Sequence, residues 1–443
     1  MHRFRLSLFS LAVAAAFSQT ALASQQSEAQ GFIQDSSFNL LNRAFYFNRD
    51  FRNGGFNGAG TNANKPGQEN GYREEAAYGI MGFYESGFTQ GTVGFGVDAY
   101  GFLGIRLDGG GGRTGTLLAP IGGDGKPEKD WSEAGGVVKL RWSNTVLKYG
   151  EQQFGNPVVG TGDARLLPET ATGFFLSSEE IEGLALDAGH ITAMNNFNSS
   201  NSDDELLIQY ADDVGDAISW AGLTYTPADS LTLSLYGSHV EDTWNRYYAN
   251  LGYTLALSDD QSLNFDLNIY RTNDVGQRLA GEIGNTDWSL ASKYAWGAHA
   301  LTLAFQKIDD GAGFDYIGFD GIFLANSVQY SDFNAPGEES WQLRYDLDMA
   351  SYGVQGLTLM ARYLRGSDID STGADPRGGF FDADARDEKH WERNLEAKYV
   401  VQHGPAKDLS LRVRHAVHRG SSNQLDGDVD EVRFIVEYPL SVL

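Results

Sequence analysis

Alternation of apolar and polar residues is the feature that most constrains this chain. In the segment 408–417, DLSLRVRHAV, every second residue from Leu409 onward is apolar except His415, and Arg412 and Arg414 share the other face. Successive side chains of a strand point to opposite faces of a sheet. The segment therefore predicts a strand whose polar face carries two arginines, in a chain with 33 Lys and Arg against 59 Asp and Glu.

The same alternation recurs along the whole chain, in segments of about 8–12 residues bounded by turn residues. These segments lie near 91–106, 134–150, 181–194, 204–211, 216–226, 229–238, 246–257, 261–270, 287–295, 299–306, 340–349, 354–365, 391–402 and 430–442. Long polar connections cover 49–75, 107–133, 151–178, 308–333 and 366–390. Long connections tend to alternate with short ones, which is typical of transmembrane barrels with tight periplasmic turns and long external loops.

The N-terminus has the form of a secretory signal peptide. Arg3 and Arg5 precede an apolar run, and Ala21-Leu22-Ala23 fits the small-residue cleavage rule. We expect a signal peptide at 1–23 and a single mature domain at 24–443, and loss of the two arginines takes the net charge from −26 to −28. The chain has no cysteine, so no disulfide framework can hold the exported domain.

Two architectures fit this alternation. One is a secreted soluble β-sandwich, propeller or solenoid, in which the apolar face forms a core. The other is an outer-membrane barrel, apolar outside and polar within. The signal peptide, the aromatic content and the absence of a repeat of fixed period favour the barrel. At about 23 residues per strand and connection, the mature chain supplies about 18 strands, enough to enclose an aqueous channel.

Several long stretches resemble the OprD-type substrate-specific outer-membrane porins. They are GFIQDSSFNLLNRAFYFNRDF (31–51), RLLPETATGF (165–174), IFLANSVQYSDFNAPGEESWQLRY (322–345), EAKYVVQHGPAKDLSLRVRHAVHRG (396–420) and VRFIVEYPLSVL (432–443). The resemblance implies an all-β, transmembrane antiparallel barrel of about 18 strands, a size of barrel that leaves a channel, with constricting loops folded into the lumen. It also implies one pore per chain. It does not decide whether the protein is a monomer or a homotrimer.

The resemblance further implies passive diffusion of small carboxylate-bearing nutrients across the bacterial outer membrane, among lipid and lipopolysaccharide. Some family members pass basic amino acids and carbapenem antibiotics. For this chain we expect aromatic or cyclic monocarboxylates, with basic amino acids as the second possibility. A chain this acidic is not expected to bind nucleic acid, because phosphate binding needs a basic surface.

A row of basic side chains is the predicted means of selection. Guanidinium groups stay charged and present a planar fork to carboxylates, and fixed charge acts strongly in a narrow pore. Several weak sites in succession attract an anion without trapping it. The candidates that match basic lumen positions of the family are Arg412, Arg414, Lys398 and Arg433, with Arg49 and Lys148 as further members of the row.

The loops are expected to supply the rest of the constriction. By resemblance, the 308–333 connection folds into the barrel, where Asp332, and more weakly Asp320, would receive the ammonium group of a zwitterion, close to Ser327 and Tyr330. The 151–178 connection carries Arg165, which either contacts the solute or braces its loop. The alternative for each acidic residue is an ordinary solvated loop carboxylate.

Other motifs are weak. The Asp426, Asp428 and Asp430 spacing resembles a calcium loop, but Glu431 occupies the glycine position. The eight histidines are scattered without metal-ligand spacing, and neither His299 nor His415 has an evident nucleophile partner. We therefore predict no enzyme activity, no metal site and no cofactor. The remaining alternatives are an outer-membrane barrel enzyme and a secreted soluble β-rich binding protein.

Overall fold

The computed structural model describes residues 24–443, and the predicted signal peptide at 1–23 lies outside the described residues. An 18-stranded antiparallel sheet dominates it. The strands are β1 Ser37–Phe51, β2 Tyr72–Glu85, β3 Val93–Asp108, β4 Asp130–Trp142, β5 Thr145–Gln152, β6 Thr170–Ile181, β7 Leu184–Asn195, β8 Ile218–Ala228, β9 Leu231–Val240, β10 Trp244–Ser258, β11 Gln261–Asp274, β12 Gly284–Trp296, β13 His299–Lys307, β14 Glu339–Asp348, β15 Leu357–Asp370, β16 Arg386–Val400, β17 Ser410–Gly420 and β18 Val429–Ser441.

The sheet closes on itself. Each strand pairs with its neighbour in sequence, and the last strand, β18, pairs antiparallel with β1, from Asn39 opposite Ser441 to Phe51 opposite Val429. Closure leaves no unpaired edge, which a sheet surrounded by lipid requires. The predicted closed barrel of about 18 strands is confirmed. Within residues 24–443, no helix is both long and apolar enough to cross a bilayer.

The two faces of the sheet differ in the way that the alternation predicts. On β17, Leu411 and Val413 are exposed on the outer surface, whereas Arg412 and Arg414 are half-buried within the barrel. Many large apolar side chains are exposed on the outside in the same way, including Leu303 and Leu343. A soluble protein does not expose so continuous an apolar surface. The secreted soluble alternative is therefore wrong.

Aromatic side chains form belts on the outside of the barrel. Towards the long loops, the rings of Trp288, Phe305 and Trp341 are in contact, at 5.3 and 4.6 Å between centroids. At the short turns, Trp296 stacks on His299 at 5.3 Å. Trp288 and Trp296 are about 26 Å apart along β12 at about 3.3 Å per residue, which is the scale of an outer-membrane apolar band.

Short turns and long loops lie at opposite ends of the barrel. The segment before β1 and the end of β18 lie at the short-turn end, which is periplasmic in barrels of this kind. Five long connections at the other end matter for the lumen. They are named here L2 (109–129), L3 (153–169), L4 (196–217), L7 (308–338) and L9 (421–428).

Two predicted boundaries are wrong. The predicted connection 151–178 includes most of β6, whose small and polar residues, in TATGFFLSSEEI, obscure the alternation. The segment predicted near 204–211 is no barrel strand. Instead Leu206–Ile208 pairs with Asp213–Gly215 in a small hairpin within L4. Leu206 and Ile208 of the hairpin are buried, and a bridge joins Ile208 to Ile317 of L7, so this apolar face contacts another loop rather than lipid.

The long loops pack into the lumen through two apolar clusters. One joins L3, L4 and L7 to strands β6–β11 and includes Val159, Ile208 and Ile317. The other joins L2 and L3 to β1–β4 and β18 and includes Leu166 and Leu167. Among the described residues, neither cluster includes a member of β12–β17. The loops therefore fill the lumen from one side and leave the wall formed by β12–β17 outside the apolar packing.

Candidate functional site

The strand register brings the predicted basic residues of three neighbouring strands together inside the barrel. Lys398 of β16 lies opposite Arg412 of β17, and Arg414 of β17 lies opposite Arg433 of β18. Arg49 lies on the lumen face of β1, one strand further round. Because all of them occupy the same face of their strands, the charges form a continuous basic wall rather than scattered surface groups.

Lumen carboxylates are shared between these cations. Glu431 of β18 is fully buried and lies 2.7 Å from the Nη2 of Arg49 and 2.6 Å from the Nε of Arg433. Glu396 of β16 lies 2.8 Å from Arg412 and 3.2 Å from Arg414. Each carboxylate thus neutralises one of two cations, and each group of three keeps a net positive charge.

The same arrangement recurs a few strands further round the barrel. Lys148 of β5 lies 3.3 Å from Asp98 of β3, and Lys139 of β4 contacts the same carboxylate. Lys139 and Lys148 are paired in the strand register, so the two ammonium groups approach one carboxylate from adjacent strands. Three separate carboxylates are therefore outnumbered two to one by their basic neighbours.

Other lumen cations have no carboxylate in ion-pair contact within residues 24–443. Lys398 is one, and Arg362 of β15 is another, since its Nε donates instead to the amide oxygen of Asn394 at 2.9 Å. Lys293 of β12 faces the lumen opposite Asn264 and is also free of such a contact. These strands therefore carry positive charge on the lumen face that no carboxylate of the described residues neutralises by direct contact.

L3 is held against the basic wall by its own backbone. Arg43 of β1 pairs with Asp163 of L3 at 2.6 Å and donates to the carbonyl oxygens of Arg165 and Leu166 at 2.9 and 3.2 Å. Arg43 also pairs with Glu437 at 2.7 Å. The contacts fix this part of L3, including the backbone of Arg165, to β1 and β18.

Arg165 is half-buried and has no carboxylate partner in residues 24–443. Its Nε donates to the carbonyl of Thr116 in L2 at 2.9 Å, and its guanidinium lies 5.5 Å from the ring of Phe47. Burial lowers the pKa of Arg165, and the neighbouring Arg433 and Arg49 lower it further. The side chain joins L3 to L2 while adding positive charge next to the basic wall.

L7 reaches the basic wall through Tyr330. The ring of Tyr330 lies 4.6 Å from the guanidinium of Arg49, a cation–π contact. The backbone nitrogens of Tyr330 and Ser331 donate to Glu392 of β16 at 3.2 and 3.0 Å. L7 therefore spans the lumen from the side it fills to the strands that carry the basic residues.

The predicted acidic residues of L7 lie at contacts between loops. The carboxylate of Asp332 accepts hydrogen bonds from the hydroxyls of Ser327, Tyr210 and Tyr316, the last two at 2.7 and 2.8 Å. Burial raises its pKa, although the three hydrogen bonds act in the opposite direction. Asp320 forms an isolated bridge with Gly160, which joins L7 to L3. Neither position lies in a freely exposed loop.

The comparisons with known proteins agree with this architecture. Residues 30–442 match the family described as outer membrane porin, OprD family. The chain belongs to this family. Porin D of Pseudomonas aeruginosa is 51% identical over the full length of both chains.

Solved structures agree as well. A crystal structure of Pseudomonas aeruginosa OprD is 49% identical, with a TM-score of 0.81 over 96% of this chain and 100% of that one. A crystal structure of Pseudomonas aeruginosa OpdK with vanillate is 32% identical, with a TM-score of 0.81 over 93% of this chain and 100% of that one. The chain is thus a substrate-specific porin of the bacterial outer membrane, as its sequence predicts, and its matched relatives are channels.

Sequence reasoning missed several basic residues of this OprD-family porin. They face the lumen but were not predicted: Arg43, Lys139, Lys293, Arg344 and Arg362. The alternation in 340–349 and 354–365 could have revealed two of them, because Arg344 and Arg362 lie out of phase with apolar neighbours. The register places these two residues opposite each other, so they extend the basic wall by two strands.

Proposed function

We propose that this porin is a passive channel for small carboxylate-bearing solutes, with aromatic or cyclic monocarboxylates favoured. The observation that carries the proposal is the excess of cations at the shared carboxylates Glu431, Glu396 and Asp98. A lumen lined in this way keeps positive charge at successive points of the wall. Such a series of weak sites favours entry of an anion and still allows its release.

The preference for ring-bearing acids rests on the shape and composition of the constriction. Tyr330 is half-buried and contributes a ring face near Arg49, so a flat apolar body can pack there while its carboxylate approaches the basic wall. A crystal structure of the relative OpdK contains vanillate, which is an aromatic carboxylate. This relative therefore supports the proposed class of solute. Basic amino acids remain the second candidate, with carbapenem antibiotics as a further family precedent.

The roles of individual residues remain predictions. Arg412, Arg414, Lys398, Arg49 and Lys148 would guide the carboxylate along the wall, and Arg433, which is buried, would add its charge from behind them. Arg165 would add charge at the constriction. Asp332 and Asp320 would act mainly by bracing L7, because Asp332 already accepts three hydrogen bonds. Association as a homotrimer, and contacts with lipopolysaccharide, stay predictions as well.

The decisive experiment is single-channel recording of the refolded porin in a planar bilayer under a salt gradient. We expect an anion-favouring reversal potential and a reduction of current by millimolar benzoate that exceeds the reduction by arginine. Cyclohexanecarboxylate serves as a ring-bearing control without aromaticity, and benzyl alcohol as an aromatic control without charge. A response to arginine alone would favour basic amino acids. Equal responses to benzoate and benzyl alcohol would contradict the role of the carboxylate.

A further inference from the structure

Two histidines that are distant in sequence meet inside the barrel wall. His390 of β16 and His418 of β17 are both fully buried, and the Nδ1 of His390 lies 2.7 Å from the Nε2 of His418. Asp426 of L9 lies beside them, and ligand atoms of the three residues all fall within 4.8 Å of one another. The conduction pathway proposed above uses none of these side chains.

The outer nitrogen of each imidazole has an acceptor of its own. The Nδ1 of His418 faces the carbonyl oxygen of Gly427 at 2.9 Å, and the Nε2 of His390 faces the carboxylate of Glu338 at 2.6 Å. Because a carbonyl oxygen can only accept, the Nδ1 of His418 must carry its proton. A carboxylate partner likewise favours a proton on the Nε2 of His390.

These partners fix the tautomers of both rings. In the neutral state, the inner nitrogens, Nδ1 of His390 and Nε2 of His418, both carry lone pairs, and these point at each other across 2.7 Å. The carboxylate of Asp426, which accepts from the hydroxyl of Ser331, adds negative charge at the same place. The lone pairs and the negative charge of the three residues therefore converge on one point, where a cation would be stabilised.

We propose that His390, His418 and Asp426 form a binding site for a divalent transition-metal ion, best suited to Zn²⁺. Two imidazole nitrogens and one carboxylate oxygen are a common zinc ligand set, with a water molecule as the fourth ligand. A single proton would satisfy only the two nitrogens, whereas Zn²⁺ satisfies all three groups. Tetrahedral ligation at 2.0–2.1 Å needs nitrogens about 3.3 Å apart, so the two rings would have to separate slightly to admit the ion.

The surroundings match those of protein zinc sites. Metal-bound histidines usually donate their second N–H to a carboxylate or a backbone carbonyl, which orients the ring and makes it a better ligand. Glu338 and Gly427 occupy these two positions. The ring of Phe333 covers His390 at 4.2 Å between centroids, while Asp426 is only half-buried, so an ion can enter from the side of L9.

Metal binding would tie L9 to the barrel wall and to L7. Asp426 belongs to L9, the histidines belong to the wall, and Glu338 and Ser331 belong to L7. The ring of His418 is also 5.0 Å from that of Tyr330, which contacts Arg49. Only the rings of His418 and Tyr330 would then stand between the ion and Arg49 of the basic wall. The ion would hold L7 in its constricting position.

Calorimetric titration of Zn²⁺ into folded, chelator-treated porin in detergent tests the proposal. We expect saturable binding of a single ion per chain, and affinity lowered by at least about tenfold in Asp426→Asn and in His418→Gln, as for loss of a metal-site residue. His415→Gln is the matched control, because His415 lies on the outer face of the same strand and should leave binding unchanged. Circular dichroism verifies that each variant is folded.

Cobalt supplies a second readout that does not depend on the fold of the histidine variant. Co²⁺ bound to two imidazoles and a carboxylate in four-coordinate geometry gives intense visible absorption, which wild-type porin should show and Asp426→Asn should lose. No saturable zinc binding by the wild type would overturn the proposal. Binding that is equally strong in wild type and Asp426→Asn, or a weak six-coordinate cobalt spectrum, would also overturn it.

Discussion

Arg412 and Glu396 form an ion pair across two neighbouring strands, with 2.8 Å between Nη2 and Oε2. Arg414 lies 3.2 Å from the same carboxylate oxygen. One acidic group therefore stands between two arginines on the lumen face, and the group of three keeps one positive charge in excess. The arrangement explains how an acidic protein can present a basic lumen.

Removal of both arginines should reverse the local charge. In Arg412→Ala/Arg414→Ala, Glu396 is left without its two cations, so this group of three residues changes from net positive to net negative, while Lys398 opposite residue 412 keeps its charge. We expect the anion preference to fall by about tenfold, which corresponds to about 1.4 kcal/mol. The reversal potential in a salt gradient measures this preference.

The matched control for the double variant removes two cations outside the lumen. Lys126 lies exposed in L2 and Lys407 lies exposed in a short turn, so Lys126→Ala/Lys407→Ala changes the net charge by the same amount. Its reversal potential should remain close to that of the wild type. An equal shift in both double variants would show that overall charge, and not the wall, sets selectivity.

Glu431 should contribute strongly to stability. Its carboxylate is fully buried between Arg49 and Arg433 and accepts from Gln329 of L7 at 3.0 Å. Glu431→Gln leaves two buried guanidinium groups without a carboxylate, and breaking a buried ion pair in this way costs about 3–5 kcal/mol. Urea unfolding in lipid vesicles should show this loss in the free energy of unfolding.

A comparison separates this effect from a general loss of acidic groups. Glu282 is exposed, and within residues 24–443 its carboxylate pairs with Arg278 alone, so Glu282→Gln should change the unfolding free energy by less than about 1 kcal/mol. If the two variants unfolded at the same urea concentration, Glu431 would not be a structural centre of the wall.

Asp332 should control the mobility of L7. In Asp332→Asn, the amide nitrogen can no longer accept, so the hydroxyls of Tyr210 and Tyr316 lose part of their anchor. We expect noisier single-channel current and more frequent transitions of conductance. Tyr210→Phe/Tyr316→Phe removes the donors and should produce the same noise while it keeps the carboxylate.

The two variants also test the alternative role of Asp332 as an acceptor for a solute ammonium group. If that role dominates, Asp332→Asn weakens the block of current by arginine, and Tyr210→Phe/Tyr316→Phe strengthens it by freeing the carboxylate. Parallel noise in both variants, with an unchanged arginine block, supports the brace.

The constriction should loosen as the pH rises. Glu169 at the end of L3 is fully buried and accepts from the backbone nitrogens of Gly162 and Phe319, and burial raises its pKa from 4.5 to about 8. Nearby Asp320 raises this pKa further, and Arg165 opposes the shift. Folded L3 therefore holds a proton that an opened, solvated L3 releases.

The sign of the pH effect follows from this difference. The stabilisation of the closed loop is complete below pH 4.5 and is lost progressively as the pH rises to about 8, above which it is constant. Open-channel noise should therefore increase between pH 5 and pH 8. Glu169→Gln keeps the shape of the side chain without the titration, so its noise should be independent of pH in this range.

The sequence predicts the barrel because lipid outside and water inside impose opposite demands on the two faces of every strand. That phase assigns Arg412, Arg414, Lys398 and Arg433 to the lumen without knowledge of the fold. The alternation does not predict β6, because its small residues make the two faces of the strand less different in polarity. Periodicity is informative only where the environments on the two faces differ strongly in polarity.

The site beyond the basic wall depends on register and on loop packing, which the sequence does not disclose. His390 and His418 lie 28 residues apart and meet only because β16 and β17 pair in one register. The three hydrogen bonds of Asp332 likewise depend on how L4 folds against L7. Contacts between distant segments of this kind cannot be inferred from local spacing.

The pairing of β18 with β1 has a consequence for biogenesis. Until Val429–Ser441 reaches Ser37–Phe51, both ends of the growing sheet expose unpaired backbone groups that the bilayer cannot satisfy. Pairing of β18 with β1 is thus needed before every backbone group of the sheet has a partner, and it joins the first and last strands of the barrel. A polypeptide cut short before β18 should stall as an open sheet at the membrane surface, exposed to periplasmic proteases.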